Sequence, residues 1–184
     1  DSGGGEMRRA LVKLILVLLF AGALICTMSL CNAARRGDEQ MEPIDMGATV
    51  KTIVRYPVPL DDAIQQFITQ EAIDKGVAPS LVFAIIKNES DFDPNHIGDD
   101  GNSFGLMQIW ASEHTERCAR LGAVNLLNPY QNVRVGIDFL AELLETKSFD
   151  DAMTFYSGGN TEYGAIVKAT AEQIAEGVMV VAAE

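Results

Sequence analysis

From Pro79 the chain repeats apolar residues at Leu81, Val82, Ile85 and Ile86, the spacing of one buried helical face, and the next position on that stripe is Glu89. Pro79 suits the first turn of such a helix, where a missing N–H costs nothing. An amphipathic helix is predicted before it, from Leu60 to Lys75, with Ala63, Ile64, Phe67, Ile68 and Ala72 inward and Gly76 as its stop. Beyond it the pattern predicts a short helix from Glu113 to Leu121. A longer one opens at Asn128-Pro129 and carries Val133, Ile137, Leu140, Ala141 and Leu144 on one face as far as Glu145. Ser148 with Asp151 three residues on reads as a capped start for a helix to about Ser157, broken by Gly158-Gly159. A last helix, Thr161 to Glu176, turns Tyr163, Ile166, Val167 and Ile174 inward and stops at Gly177. A short strand is predicted within Val50–Arg55. There is no internal repeat and no convincing sheet, and the apolar tail VMVVAAE has no evident partner. The predicted fold is mainly α.

Glu89 breaks its own pattern. A carboxylate that continues an apolar stripe is desolvated, which disfavours its charged form and raises its pKa toward the range a general acid needs near neutral pH. Without other support, such a residue at a helix end is read as a carboxylate that reaches solvent.

The N-terminal third has a different texture. Asp1–Glu6 is glycine-rich and disordered in character. From Met7, basic residues Arg8, Arg9 and Lys13 precede an apolar run, and Cys31-Asn32-Ala33-Ala34 offers small residues for cleavage, the layout of an export signal. The alternative is a membrane anchor left uncut, since Leu11 to Leu30 is about 20 residues, enough to span a bilayer. Both put the globular part outside the cytoplasm, in the cell envelope or beyond it. Neither Cys26 nor Cys31 has the neighbours of a lipid-anchored cysteine. The organisation expected is therefore a lead-in (1–6), a signal or anchor (7–34), a linker (35–57), a catalytic domain (58–177) and a tail (178–184).

Charge narrows the partners. The chain carries −12; removing the five basic and two acidic residues before Gly37 leaves 9 Lys and Arg against 24 Asp and Glu, a net of −15. Such a surface argues against nucleic acid, which requires a basic face. Only Cys118 lies in the globular part, so no internal disulfide is expected, and although His114 precedes it by four residues nothing completes a thiol triad. Asp93-x-Asn95-x-Ile97-Gly98 imitates a calcium loop, but Ile97 cannot ligate and Phe104 occupies the place of the closing Glu. His96 and His114 lack zinc spacing. No metal and no cofactor are expected.

Four motifs carry a resemblance: Glu89-Ser90, then Phe92-x-Pro94, then Gly105-Leu106-Met107-Gln108-Ile109, then Asn128-Pro129-x-x-Asn132-x-x-x-Gly136. In this order they resemble the lytic transglycosylases of the lysozyme-like superfamily, over about residues 57–176. The resemblance implies a lysozyme-like helical domain that cuts peptidoglycan strands between N-acetylmuramic acid and N-acetylglucosamine. Glu89 would serve as the single acid and base, with Ser90 orienting it, and Met107 and Gln108 lining the groove. Glycosidases commonly use two carboxyl groups, and the residues alone single out none of Asp91, Asp93, Asp99 and Asp100 as a second. The family's Ala-Tyr-Asn-x-Gly motif is matched here by Phe155-Tyr156-Ser157-Gly158-Gly159. Tyr156 is kept, Ser157 stands where Asn is expected, and the loop after Gly159 is short. The size and tether are similar to members that open the wall locally for secretion, conjugation or phage machinery. Two rival readings share the fold: a muramidase that adds water, and a peptidoglycan-binding or assembly protein without chemistry.

Overall fold

The computed structural model describes residues 52–182. The signal or anchor stretch and most of the linker lie outside them. Among the described residues six α-helices carry the fold: α1 (Asp62–Asp74), α2 (Pro79–Ser90), α3 (Thr115–Leu121), α4 (Pro129–Thr146), α5 (Phe149–Tyr156) and α6 (Tyr163–Glu176). None of them is long and apolar enough to cross a membrane. The helices start as side-chain chemistry dictates. Asp61 Oδ1 accepts from Ile64 N, Asn128 Oδ1 from Tyr130 N and Gln131 N, and Ser148 Oγ from Asp151 N. Pro79 and Pro129 occupy first turns.

The central helix is α2, whose Val82, Phe83, Ala84, Ile85 and Ile86 are all fully buried. It packs along α6 on one side and α1 on another, while α4 packs on α1, α3 and α5. A helix buried all round belongs at the middle of a core, and α2 is apolar on more than one face.

Sheet is present, which the periodicity did not anticipate. Ile97–Gly98 (β2), Ser103–Phe104 (β3) and Ile109–Trp110 (β4) form a small antiparallel sheet in the order β2-β3-β4. Strands of two residues are too short to display alternation. The strand expected near residues 50–55 is Thr52–Arg55 (β1), and its partner is the tail itself, Met179–Ala182 (β5), paired antiparallel from Thr52↔Ala182 to Arg55↔Met179. Buried Gln65 secures the chain after β1: its Oε1 accepts from Tyr56 N at 2.8 Å and its Nε2 donates to Leu60 O at 2.8 Å. Two inward assignments fail. Ala63 is exposed, and Ile166 is 45% exposed although Tyr163, Val167 and Ile174 on the same helix are buried.

Asp138 on α4 binds the helices together electrostatically. Its carboxylate is buried and accepts from Lys75 at 2.7 Å, from Arg120 at 2.6 Å and from Arg117, which also pairs with Glu142. Burial alone would push this carboxyl up, but the hydrogen-bonded Arg120, Lys75 and Arg117 outweigh it and hold the group well below the usual carboxylate range.

Candidate active site

Helix α2 ends where Glu89 is needed. Asp91 takes a left-handed conformation (φ 50°) and its N–H bonds Lys87 O, closing the helix one residue after Ser90. Among the described residues, the non-glycine residues with positive φ are Asp91, Phe92, Asp99, Asp100 and Gln108, all within the loop after Glu89. Such conformations persist only where surrounding contacts over-determine them.

Those contacts come from the matched motifs. Ser90 is buried; its Oγ donates to Leu106 O (2.8 Å) and Ile86 O (3.2 Å), which fastens the returning loop to α2. It makes no hydrogen bond to Glu89, so its part is structural rather than orienting. Asn132, fully buried, pins the loop from the other side. Its Oδ1 accepts from Met107 N at 2.8 Å, and its Nδ2 donates to Phe104 O at 2.7 Å and Leu126 O at 2.9 Å. Gly105 (φ 71°) has Asn132 Nδ2 2.6 Å from where a Cβ would lie, and Gly136 has Met107 Cβ at 2.9 Å, so both glycines are demanded by close approach. Met107 is fully buried against Gly136 and presents no side chain to the groove, contrary to expectation. Its carbonyl instead accepts from the Tyr156 hydroxyl at 2.9 Å. Gln108 does line the groove, but its amide donates to Gly105 O (2.8 Å) and His96 O (3.1 Å) and is committed to the loop.

The groove so formed has a volume of about 770 Å³. Glu89 stands in it among Asn88, Asp99, Ser103, Trp110, His114, Phe139, Tyr156, Ser157 and Tyr163. Burial pushes the Glu89 carboxyl from its ordinary 4.5 up to about 6; a hydrogen bond from Tyr163 opposes the rise, and the charge of Asp99 adds to it. Tyr163 Oη donates to Glu89 Oε1. Burial, the Glu89 charge and the neighbouring Tyr156 push the Tyr163 phenol upward, so it remains a donor. Tyr163 was legible as an inward residue of its helix but not as the partner of Glu89. A contact between residues 74 positions apart leaves no local signal.

The remaining candidates divide. Tyr156 lines the groove and lies nearly parallel to Tyr163, ring centroids 6.4 Å apart. Ser157 also lines it, with its hydroxyl occupied by Thr154 O, Asn160 O and Asn160 N, which closes the short turn after α5. Of the four aspartates, only Asp99 faces the groove, where Ser103 Oγ donates to it. Asp91 pairs with Lys87, and Asp93 accepts from Asn95 N at 2.9 Å. Burial and the neighbouring Arg117 lower the pKa of His114, which keeps that groove residue neutral. Among the described residues no three His, Cys, Asp or Glu side chains gather as a metal ion would require.

Among solved structures, an inactive mutant of the lytic transglycosylase Slt from Pseudomonas aeruginosa is similar, with 20% identity and a TM-score of 0.46 over 61% of this chain. The chain spans 22% of that protein's length. The family model described as the transglycosylase SLT domain matches residues 66–176, from α1 to the end of α6 and through every motif that builds the groove. With more than half of the chain matched, the protein belongs to the transglycosylase SLT domain family.

Proposed function

We propose that this protein cleaves the bond between N-acetylmuramic acid and N-acetylglucosamine in peptidoglycan by lytic transglycosylation, with Glu89 as its acid and base. The observation that carries the reading is the Glu89 carboxyl group, desolvated at the end of a buried helix, raised to about 6 and facing an open groove. A group titrating there is protonated often enough to act as an acid and ionised readily enough to act as a base.

In the first step Glu89 gives its proton to the glycosidic oxygen as the bond from muramoyl C1 breaks, releasing the N-acetylglucosamine hydroxyl. The substrate's own acetamido group carries the positive charge left at C1. The Glu89 carboxylate then takes the proton of the muramoyl C6 hydroxyl while O6 closes on C1, giving a 1,6-anhydro ring and restoring the acid without water. The hydrogen bond from Tyr163 stabilises the ionised form between the two steps. Export through the basic and apolar stretch from Arg8 to Leu30 would bring the domain to its substrate, and local wall opening for a secretion, conjugation or phage apparatus is the role this arrangement suits.

A second reading has one observation in its favour. Asp99 places a second carboxylate in the groove, as a muramidase that activates water would need. Mass spectrometry of products from purified peptidoglycan separates the two. Muropeptides ending in 1,6-anhydro-muramic acid are expected, with turnover abolished in Glu89→Gln and retained in Asp99→Asn. Reducing ends that disappear in Asp99→Asn would make the protein a hydrolase.

A further inference from the structure

The outer wall of the groove is a row of aromatic rings that runs outward from Tyr163, the hydrogen-bond partner of Glu89. Tyr163, which holds Glu89, lies parallel to Tyr156. Tyr156 stacks on Phe139 with centroids 5.4 Å apart, and Phe155 meets Phe139 edge-on at 6.3 Å. The row ends at Phe155, which is 59% exposed, although Ala152 and Met153 on the same short helix are fully buried. The ring does not hang free. The Lys147 ammonium sits 5.2 Å from its centroid and Phe139 abuts it.

Phe155 also borders a second depression, of about 420 Å³, with Asp151, Thr154, Gly158 and Gly159. Nothing lies within 4 Å of where a Cβ would stand on Gly158 or Gly159. The groove therefore runs past Phe155 onto a surface that the short turn after α5 leaves unroofed.

The chemistry along this path is that of a neutral, hydroxyl-rich ligand with apolar ring faces. Asn88 and Asn160 line the path with uncharged amides, whereas the Ser103 hydroxyl is already given to Asp99. Arg117, the one Lys or Arg lining the groove among the described residues, is already paired with Asp138 and Glu142. With Asp99 and Glu113 on the wall and His114 neutral, nothing there attracts an anion.

We propose that Phe155 is a carbohydrate-stacking platform, holding one N-acetylhexosamine ring of a glycan strand at a subsite outward of the scissile bond. Pyranose C–H faces pack on the exposed ring, while the row Phe139–Tyr156–Tyr163 fixes its distance from Glu89. The proposal rests on the glycan-cleaving reading above and adds to it the side of the acid on which the strand extends.

The test is calorimetric titration of the uncharged tetramer of N-acetylglucosamine into the 184-residue chain carrying Glu89→Gln, which binds without turnover. The same titration is repeated with Phe155→Ala and Phe155→Trp added. Losing one ring face of apolar contact weakens binding about tenfold in the Ala variant. The Trp variant, which keeps a ring face, should stay within about threefold of its parent. Equal affinity in parent and Ala variant overturns the platform and leaves the glycan reading standing. An equal loss in the Ala and Trp variants also overturns it, because stacking would then not be the cause. A parent that binds no tetramer also overturns the platform, while the product analysis of peptidoglycan decides the reading beneath it separately.

Discussion

Glu89→Gln should make this protein more stable at neutral pH while removing its activity. Holding the carboxyl at about 6 instead of its ordinary 4.5 makes the ionised form costlier in the folded chain than in the unfolded one, by about 2 kcal/mol if the environment were fully enclosed. The groove is open on one side, so about 1–2 kcal/mol is the working figure. The sign follows from linkage. A raised folded pKa favours folding while the group is protonated, below about 4.5, and that advantage is lost as pH rises through about 6. Gln is neutral throughout, and its side-chain oxygen can still accept from Tyr163, so packing and the hydrogen bond survive. Urea denaturation of both proteins should give closely similar stabilities at pH 4. The variant should pull ahead between about pH 4.5 and 6.5 and hold a constant lead of about 1–2 kcal/mol above that. A variant that is equally stable at pH 7.5, or less stable, would show that Glu89 is not desolvated and would remove the basis for its role as an acid.

Other contacts give further expected outcomes. Tyr163→Phe should leave the fold intact and raise the Glu89 pKa further, since the hydrogen bond that opposes the rise is gone; the alkaline fall of kcat/KM then moves above pH 6 and kcat drops, and an unmoved pH profile would deny the contact. Asn132→Ala leaves Met107 N–H, Phe104 O and Leu126 O without their buried partner and should cost at least about 3 kcal/mol in urea denaturation, the low end for three groups at about 1–3 kcal/mol each. Asp138→Ala leaves the nearly buried Arg117 with only the exposed Glu142 as its partner, beside Lys75 and Arg120, and should cost about 3 kcal/mol at pH 7. Because the Asp138 carboxyl is held below its unfolded value of 3.8, that contribution is present above this pH and lost as pH falls beneath it, so the difference between variant and wild type should shrink in strong acid.

Much of the fold was legible because helices announce themselves locally. Pro79, Asn128-Pro129 and Ser148 mark starts that the backbone takes up, and the stripe that ran from Leu81 through Ile85 pointed to Glu89 before any fold was in view. Side-chain roles were harder to read. The resemblance implied that Ser90 orients Glu89 and that Met107 lines the groove, but buried hydrogen bonds and a glycine contact make them parts of the scaffold. Tyr163 was recognisable as buried, not as the group that meets Glu89, because two helices distant in sequence must pack before that pair exists. The small sheets escaped for two reasons: β2, β3 and β4 are each two residues long, and β1 finds its partner more than 120 positions away.

The pairing of Thr52 with Ala182 has a mechanical consequence. Because β1 and β5 run antiparallel, chain leaving the described residues at either end does so from the same end of one ladder, roughly 5 Å apart. A load applied between those two ends would open the ladder one hydrogen bond at a time, like a zip, whereas a parallel arrangement would have to shear all of them together. Pulling would therefore detach β5 from β1 at low force. Once it does, α6, which runs into β5 through Gly177 packed on Pro57, bears the load next, and α6 begins at Tyr163. Tension on the ends of this domain is thus routed toward the hydrogen bond that holds its acid.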